Sequence, residues 1–90
     1  MLRPDYSTNF KKDLKRIQKL GLNIDKLKNI MSRLSFEENL EPKHRDHLLI
    51  GNYVGYRECH VTPDLLLIYK VIDDEIIHFH RAGTHSQLFK

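Results

Sequence analysis

The sequence predicts an α+β fold: an N-terminal helical hairpin packed on a small antiparallel β-sheet, closed by a short C-terminal helix. Three observations carry that prediction. Apolar residues recur at helical spacing as far as Leu34, and at strand spacing or in one continuous run after Asn52. Turn-forming pairs (Gly51-Asn52, Pro63-Asp64, Asp73-Asp74) cut the second half into short pieces. Ninety residues support one modest core, so helices and sheet must share it, in one domain over residues 1–90.

Leu2 to about Ser7 reads as a short strand. Pro4 lacks an N–H for the ladder, which puts that strand at an edge or makes it enter the sheet late. Ser7, Thr8 or Asn9 can cap a helix with Phe10, Leu14 and Ile17 on one face. Gly21 sits where it should stop, because glycine accepts the left-handed backbone of a helix C-terminus. Asn23 can cap a second helix bearing Ile24, Leu27, Met31 and Leu34 inward and lysines outward. Glu37 to Asp46 is a polar loop, followed by His47-Leu48-Leu49-Ile50. Strands are expected over 53–61, 65–72 and 75–81, the middle one apolar but for Lys70 and so buried on both faces. They form an antiparallel meander that the N-terminal strand can join. Thr84 to Phe89 is the last short element.

Composition narrows the class. Residues 9–34 hold eight basic side chains against two acidic ones, while the rest of the chain is net acidic. Such a block attracts polyanions, with Lys11 and Lys15 as candidate RNA contacts; a solvated helix face kept basic for solubility is the alternative. No apolar run approaches the roughly 18 residues of a membrane span, and the N-terminus lacks a signal-peptide pattern. The lone Cys59 cannot form an internal disulfide, which fits a reducing cytoplasm.

Six histidines in this length are many. Imidazole both takes and gives protons near neutrality. In the expected meander, the end of one strand, the next turn and the end of the last strand share an edge, so His60, Asp64, Arg81 and His85 should meet there. His47 ends the preceding loop. Two imidazoles, a carboxylate and a guanidinium suit RNA cleavage without a metal. One group deprotonates a ribose 2′-hydroxyl, another protonates the leaving 5′-oxygen, and a cation holds the extra charge. The competing reading is that these histidines cap turns and satisfy backbone groups. His78 and His80 share one face of a strand, with Cys59 or His60 within range, but zinc-ligand spacing and HExxH are absent, so no metal or cofactor is expected. Phe89 plugs the core or stacks on a base, and Tyr53 and Tyr56 carry the same two readings; Tyr69, inside the apolar strand, reads as core.

The blocks Gly55-Tyr56-Arg57-Glu58-Cys59-His60-Val61-Thr62-Pro63-Asp64, Leu66-Leu67-Ile68-Tyr69-Lys70 and Gly83-Thr84-His85-Ser86-Gln87-Leu88-Phe89 strongly resemble the YafQ-like branch of the RelE toxin superfamily. The Phe-Lys-Lys-Asp-Leu-Lys-Arg helix start and the loop ending Asp-His-Leu-Leu agree, so the resemblance covers nearly the whole chain. It implies the RelE-like fold and a ribosome-dependent endoribonuclease that cuts translated mRNA in the cytoplasm. It also implies silencing by a cognate antitoxin, with operator DNA contacted only through that antitoxin and no membrane involved. The family's functional positions fall on His47, His60, Asp64, His85 and Phe89, with Arg57 and Arg81 at basic positions assigned to phosphate. His85 is expected to act as general acid, His60 or His47 to help form the nucleophile, and Asp64 to orient a histidine. Some relatives carry Trp after the motif Asp; here Leu65 stands there, so a stacking contact is lost or moved. Two other classes compete: a ParE-like poison of DNA gyrase, which needs no histidine cluster, and a module acting only as half of an antitoxin repressor.

Overall fold

In a computed structural model, which describes residues 1–89, both main helices begin where a side chain supplies a missing backbone partner. Ser7 Oγ accepts from Phe10 N at 2.9 Å and caps α1 (Thr8–Lys19). The same hydroxyl donates to the His80 carbonyl at 2.6 Å, so the cap also ties the helix start to the last strand. Asn23 Oδ1 accepts from Lys26 N and caps α2 (Ile24–Ser35). Between them Gly21 takes φ +71°, the left-handed conformation that turns the chain out of α1.

The strands are β1 (Arg3–Tyr6), β2 (His47–Leu48), β3 (Arg57–Thr62), β4 (Leu65–Ile72) and β5 (Ile76–Gly83). They form one sheet in the order β1-β5-β4-β3-β2. The expected meander is its centre, and Pro4 does lie on an edge strand. The sheet is nevertheless mixed rather than purely antiparallel, because β1 runs parallel to β5. Two further corrections concern the middle of the chain. The strand expected from Tyr53 starts only at Arg57, since Gly51 (φ +76°) and Gly55 (φ +91°) bend the backbone and Gly51–Tyr53 winds into a 3-10 turn. His47 belongs to a two-residue edge strand, paired through His47 with Glu58, and not to the loop.

The two sheet faces do different things. Both helices cover one, where Phe10, Ile17, Leu27 and Ile30 pack on Cys59, Val61, Leu65, Leu67, Tyr69, Ile77, Phe79 and Ala82. Burying each large side chain there contributes on the order of 2 kcal/mol. On the other face Leu66 and Ile68 are covered by Leu49, Tyr53, Tyr56, Leu88 and Phe89, so the first five residues of β4, Leu65 to Tyr69, are enclosed on both sides as their apolar run requires. This second face is otherwise open, and it carries the histidines other than His44.

Candidate active site

Strand alternation decides which side chains share the open face. On β3, Glu58 and His60 point there, whereas Arg57, Cys59 and Val61 point toward the helices or their rim. His47 pairs with Glu58 across β2 and β3. Glu58 Oε1 lies 3.6 Å from His47 Nε2 and 3.5 Å from His60 Nε2, and its side chain is only 9% exposed. A nearly enclosed carboxylate thus stands between two imidazoles. The His47 Nδ1 hydrogen bond to the Arg45 carbonyl, 2.5 Å, makes Nδ1 the protonated nitrogen. Nε2 is left as the basic atom, turned toward Glu58.

His60 is braced from behind. His44, buried in the 3-10 turn Pro42–His44, donates from Nδ1 to the His60 carbonyl at 2.6 Å, and its Nε2 lies 3.3 Å from Glu41. Glu41 in turn accepts from Arg33 at 2.7 Å, a bond that holds its carboxyl below the usual range and raises the guanidinium. The brace reaches from α2 to the strand end that carries His60.

His85 arrives from the opposite side of β4. His60 pairs with Leu66 and Leu66 with Gly83, so the ends of β3 and β5 flank β4. Their backbones stand roughly 10 Å apart, twice the usual strand spacing. His85 opens α3 (His85–Leu88) two residues beyond Gly83. A reciprocal cap fixes that turn: Gln87 N donates to Thr84 Oγ1, and Thr84 N donates to Gln87 Oε1 at 2.9 Å. A Cβ on Gly83 would come within 2.7 Å of Gln87 Oε1, so a larger residue there would push aside the side chain that completes the cap. Phe89 packs on His85 with ring centroids 5.0 Å apart and keeps part of its own ring exposed.

Other expected site residues are placed differently. Asp64 is exposed in the β3–β4 turn, and its amide donates to Thr62 Oγ1. Among the described residues it bonds to no histidine; the carboxylate beside His60 is Glu58, which the sequence reading passed over although a two-residue offset on a strand puts both on one face. Arg81 is bound bidentately by Asp13 at 2.8 and 3.2 Å, not left free for phosphate. Asp13 is buried and also accepts from Ala82 N and Arg16, so it locks α1 to β5. A bulge beside Ile68 and Tyr69 re-phases β5 between Phe79 and Arg81, which turns Ala82 toward the helices. Arg57 pairs with Asp46, which also accepts from Tyr69 at 2.6 Å, so it braces β2 from the helix side and does not face the histidines. Lys11 and Lys15 line the solvent side of α1, on the far side of the sheet. Cys59 is buried on the helix face, its thiol pushed up by burial, and cannot join His78 and His80. Among the described residues no group of three or more His, Cys, Asp and Glu is gathered to hold a metal ion.

A helix pair on one face of a small mixed sheet, with imidazoles and a carboxylate on the other, defines a small α+β domain with acid–base groups on an open surface. The chain belongs to the family described as the bacterial toxin of type II toxin–antitoxin systems, YafQ, whose model matches residues 2–90. It is 42% identical over 86 residues to the mRNA interferase toxin YafQ of Escherichia coli K12, covering 94% of this chain and 92% of that protein. Its fold superposes on the toxin in the E. coli DinJ–YafQ toxin–antitoxin complex with TM-score 0.90 and 40% identity over the full length of both chains. A metal-bound toxin from Helicobacter pylori matches with TM-score 0.90 and 41% identity, covering 99% of this chain and all of that one. No helix of the described residues is long and apolar enough to cross a membrane.

Proposed function

We propose that this toxin is an mRNA endonuclease working by acid–base catalysis with its own side chains, and that it acts on translated mRNA in the cytoplasm. The observation that carries this reading is the placement of Glu58 within 3.6 Å of both His47 and His60, with His85 held across β4 by its own capped turn. The His47–Glu58–His60 cluster takes the proton of a ribose 2′-hydroxyl. The freed oxygen attacks the neighbouring phosphorus, and the bond to the 5′-oxygen breaks. His85 donates a proton to that departing oxygen, leaving a 2′,3′-cyclic phosphate and a 5′-hydroxyl. A proton gained at His47 Nε2 is stabilised by the Glu58 carboxylate. Phe89, packed on His85, stacks on a base beside the scissile bond.

Similarity to an mRNA interferase and to a toxin solved with its antitoxin supports mRNA as substrate and a cognate antitoxin as partner. The exposed lysines of α1, remote from the cluster, suit ribosomal RNA or an acidic antitoxin segment better than the reacting phosphate.

The test is cleavage of a defined mRNA, free and on ribosomes, by wild type and His85→Ala with EDTA throughout. The expected outcome is cyclic phosphate ends from wild type and a rate lower by about 10²-fold or more in the variant. No cleavage in either setting, or equal cleavage by the variant, overturns the reading and moves the search to gyrase.

A further inference from the structure

The open sheet face carries more aromatic surface than one cleaved bond requires. From His85 the rings follow one another: Phe89 at 5.0 Å, Tyr53 at 5.6 Å from Phe89, His80 at 6.0 Å from Tyr53, Tyr56 at 4.5 Å from His80, and His78 at 5.6 Å from His80. Tyr53, Tyr56, His78, His80 and Phe89 are each half-buried, so each keeps some ring surface toward solvent. The Lys70 ammonium sits 4.6 Å over the Tyr56 ring and has no carboxylate partner among the described residues. The acid in contact with the row is Asp5, bonded to His78 Nδ1 at 2.6 Å at its far end.

We infer that this row of rings is a base-stacking track for single-stranded RNA, holding nucleotides that flank the scissile phosphate on the His85 side. The inference rests on the ribonuclease reading and specifies where the rest of the strand lies. The ring surface left open along this row suits bases, since every base offers a π-face and stacking tolerates any sequence. A cation beside the rings suits the phosphates that run with them. Continuity with His85 and Phe89 is what favours RNA here: a strand whose phosphate reaches the acid runs onto the rings next. Alternation puts His78 and His80 on this face together, while the guanidinium of Arg81 is held at its rim by Asp13.

The experiment measures binding of 2′-O-methylated, hence uncleavable, RNA to the purified toxin by fluorescence anisotropy, using a dinucleotide and a longer single strand. The proteins are wild type, Tyr56→Ala, His80→Leu and Tyr56→Phe. On a stacking track the longer strand binds more tightly than the dinucleotide. Tyr56→Ala and His80→Leu each weaken the longer strand by about tenfold and leave the dinucleotide unchanged, and Tyr56→Phe binds like wild type. Unchanged affinity of the longer strand in Tyr56→Ala and His80→Leu overturns the track while leaving the EDTA cleavage result to judge the ribonuclease reading. Equal loss for both RNAs also overturns it, since the substitutions then act on the reacting site. Variants that bind RNA normally but lose the antitoxin overturn it too, and assign the face to that protein.

Discussion

Glu58 is the residue on which the proposed chemistry turns. It was legible in principle, because Glu58 and His60 are two apart in a strand that the alternating pattern predicts. Asp64 drew attention instead, being closer in the assumed turn geometry, yet the turn carries its carboxylate into solvent. Distance along the chain says nothing about which way a turn residue points, whereas strand alternation does. The same rule separates Arg57, braced by Asp46 on the helix side, from its neighbour Glu58. Arg81 was misjudged for a different reason: its partner Asp13 lies 68 positions away on α1, and no local pattern announces that pair. Glu58→Gln keeps the side-chain volume and removes the charge between the two imidazoles. Its cleavage rate is expected to fall by about 10²-fold with little change in melting temperature. Asp64→Asn, altering an exposed turn, is expected to stay within about tenfold of wild type. A reversed ranking in single-turnover cleavage would return the orienting role to Asp64.

At the scale of elements, the sequence was most informative where one local signal sufficed. Ser7, Asn23 and Gly21 set the ends of the helical pair as their capping chemistry dictates, and the run 65–72, apolar but for Lys70, marks β4 to the residue. It was least informative where pairing is long-range: a two-residue β2 has no periodicity to detect, and the parallel partnership of β1 depends on α1 bringing the chain back along β5. The β4–β5 hairpin turn was expected at Asp73-Asp74, and its conformation yields a prediction. Both residues have positive φ, +55° and +56°, and Glu75 N closes the turn on the Ile72 carbonyl. This is the type I′ geometry in which glycine is preferred at the second position. Aspartate tolerates the left-handed region better than most residues, but still at a cost that glycine avoids. Asp74→Gly is therefore expected to stabilise the protein by about 0.5–1 kcal/mol, net of the greater freedom glycine has when unfolded. For a chain of this size that is a rise of about 3–6 °C in melting temperature. A lower melting temperature would mean that the Asp74 side chain makes up for its backbone.

For the molecule as a whole, division of labour between the two sheet faces has a consequence for stability. The helix face supplies the core, while the open face gathers His78, His80, Lys70 and, at its rim, Arg81, all able to carry positive charge. His80 bears the cost. Burial is the main cause that lowers its pKa from the ordinary 6.5, and His78, Arg81 and Lys70 lower it further against a weaker opposing effect of Asp13. Its Nδ1 is also enclosed without a hydrogen-bond partner among the described residues, so a proton there would be buried and unpaired. The sign follows from linkage. Below pH 6.5 the unfolded chain binds a proton at His80 that the folded chain resists, so the unfolded state gains relative stability as pH falls toward the depressed folded value. Above 6.5 both states are neutral at this site and the effect vanishes. Denaturant midpoints measured from pH 7.5 down to about 5 should therefore decline, and His80→Phe, which keeps a ring in the same place, should decline less steeply while matching wild type near pH 7.5. Parallel curves for the two proteins would show that the acid sensitivity arises elsewhere, with the carboxylates that pair the helices to the sheet as the next place to look.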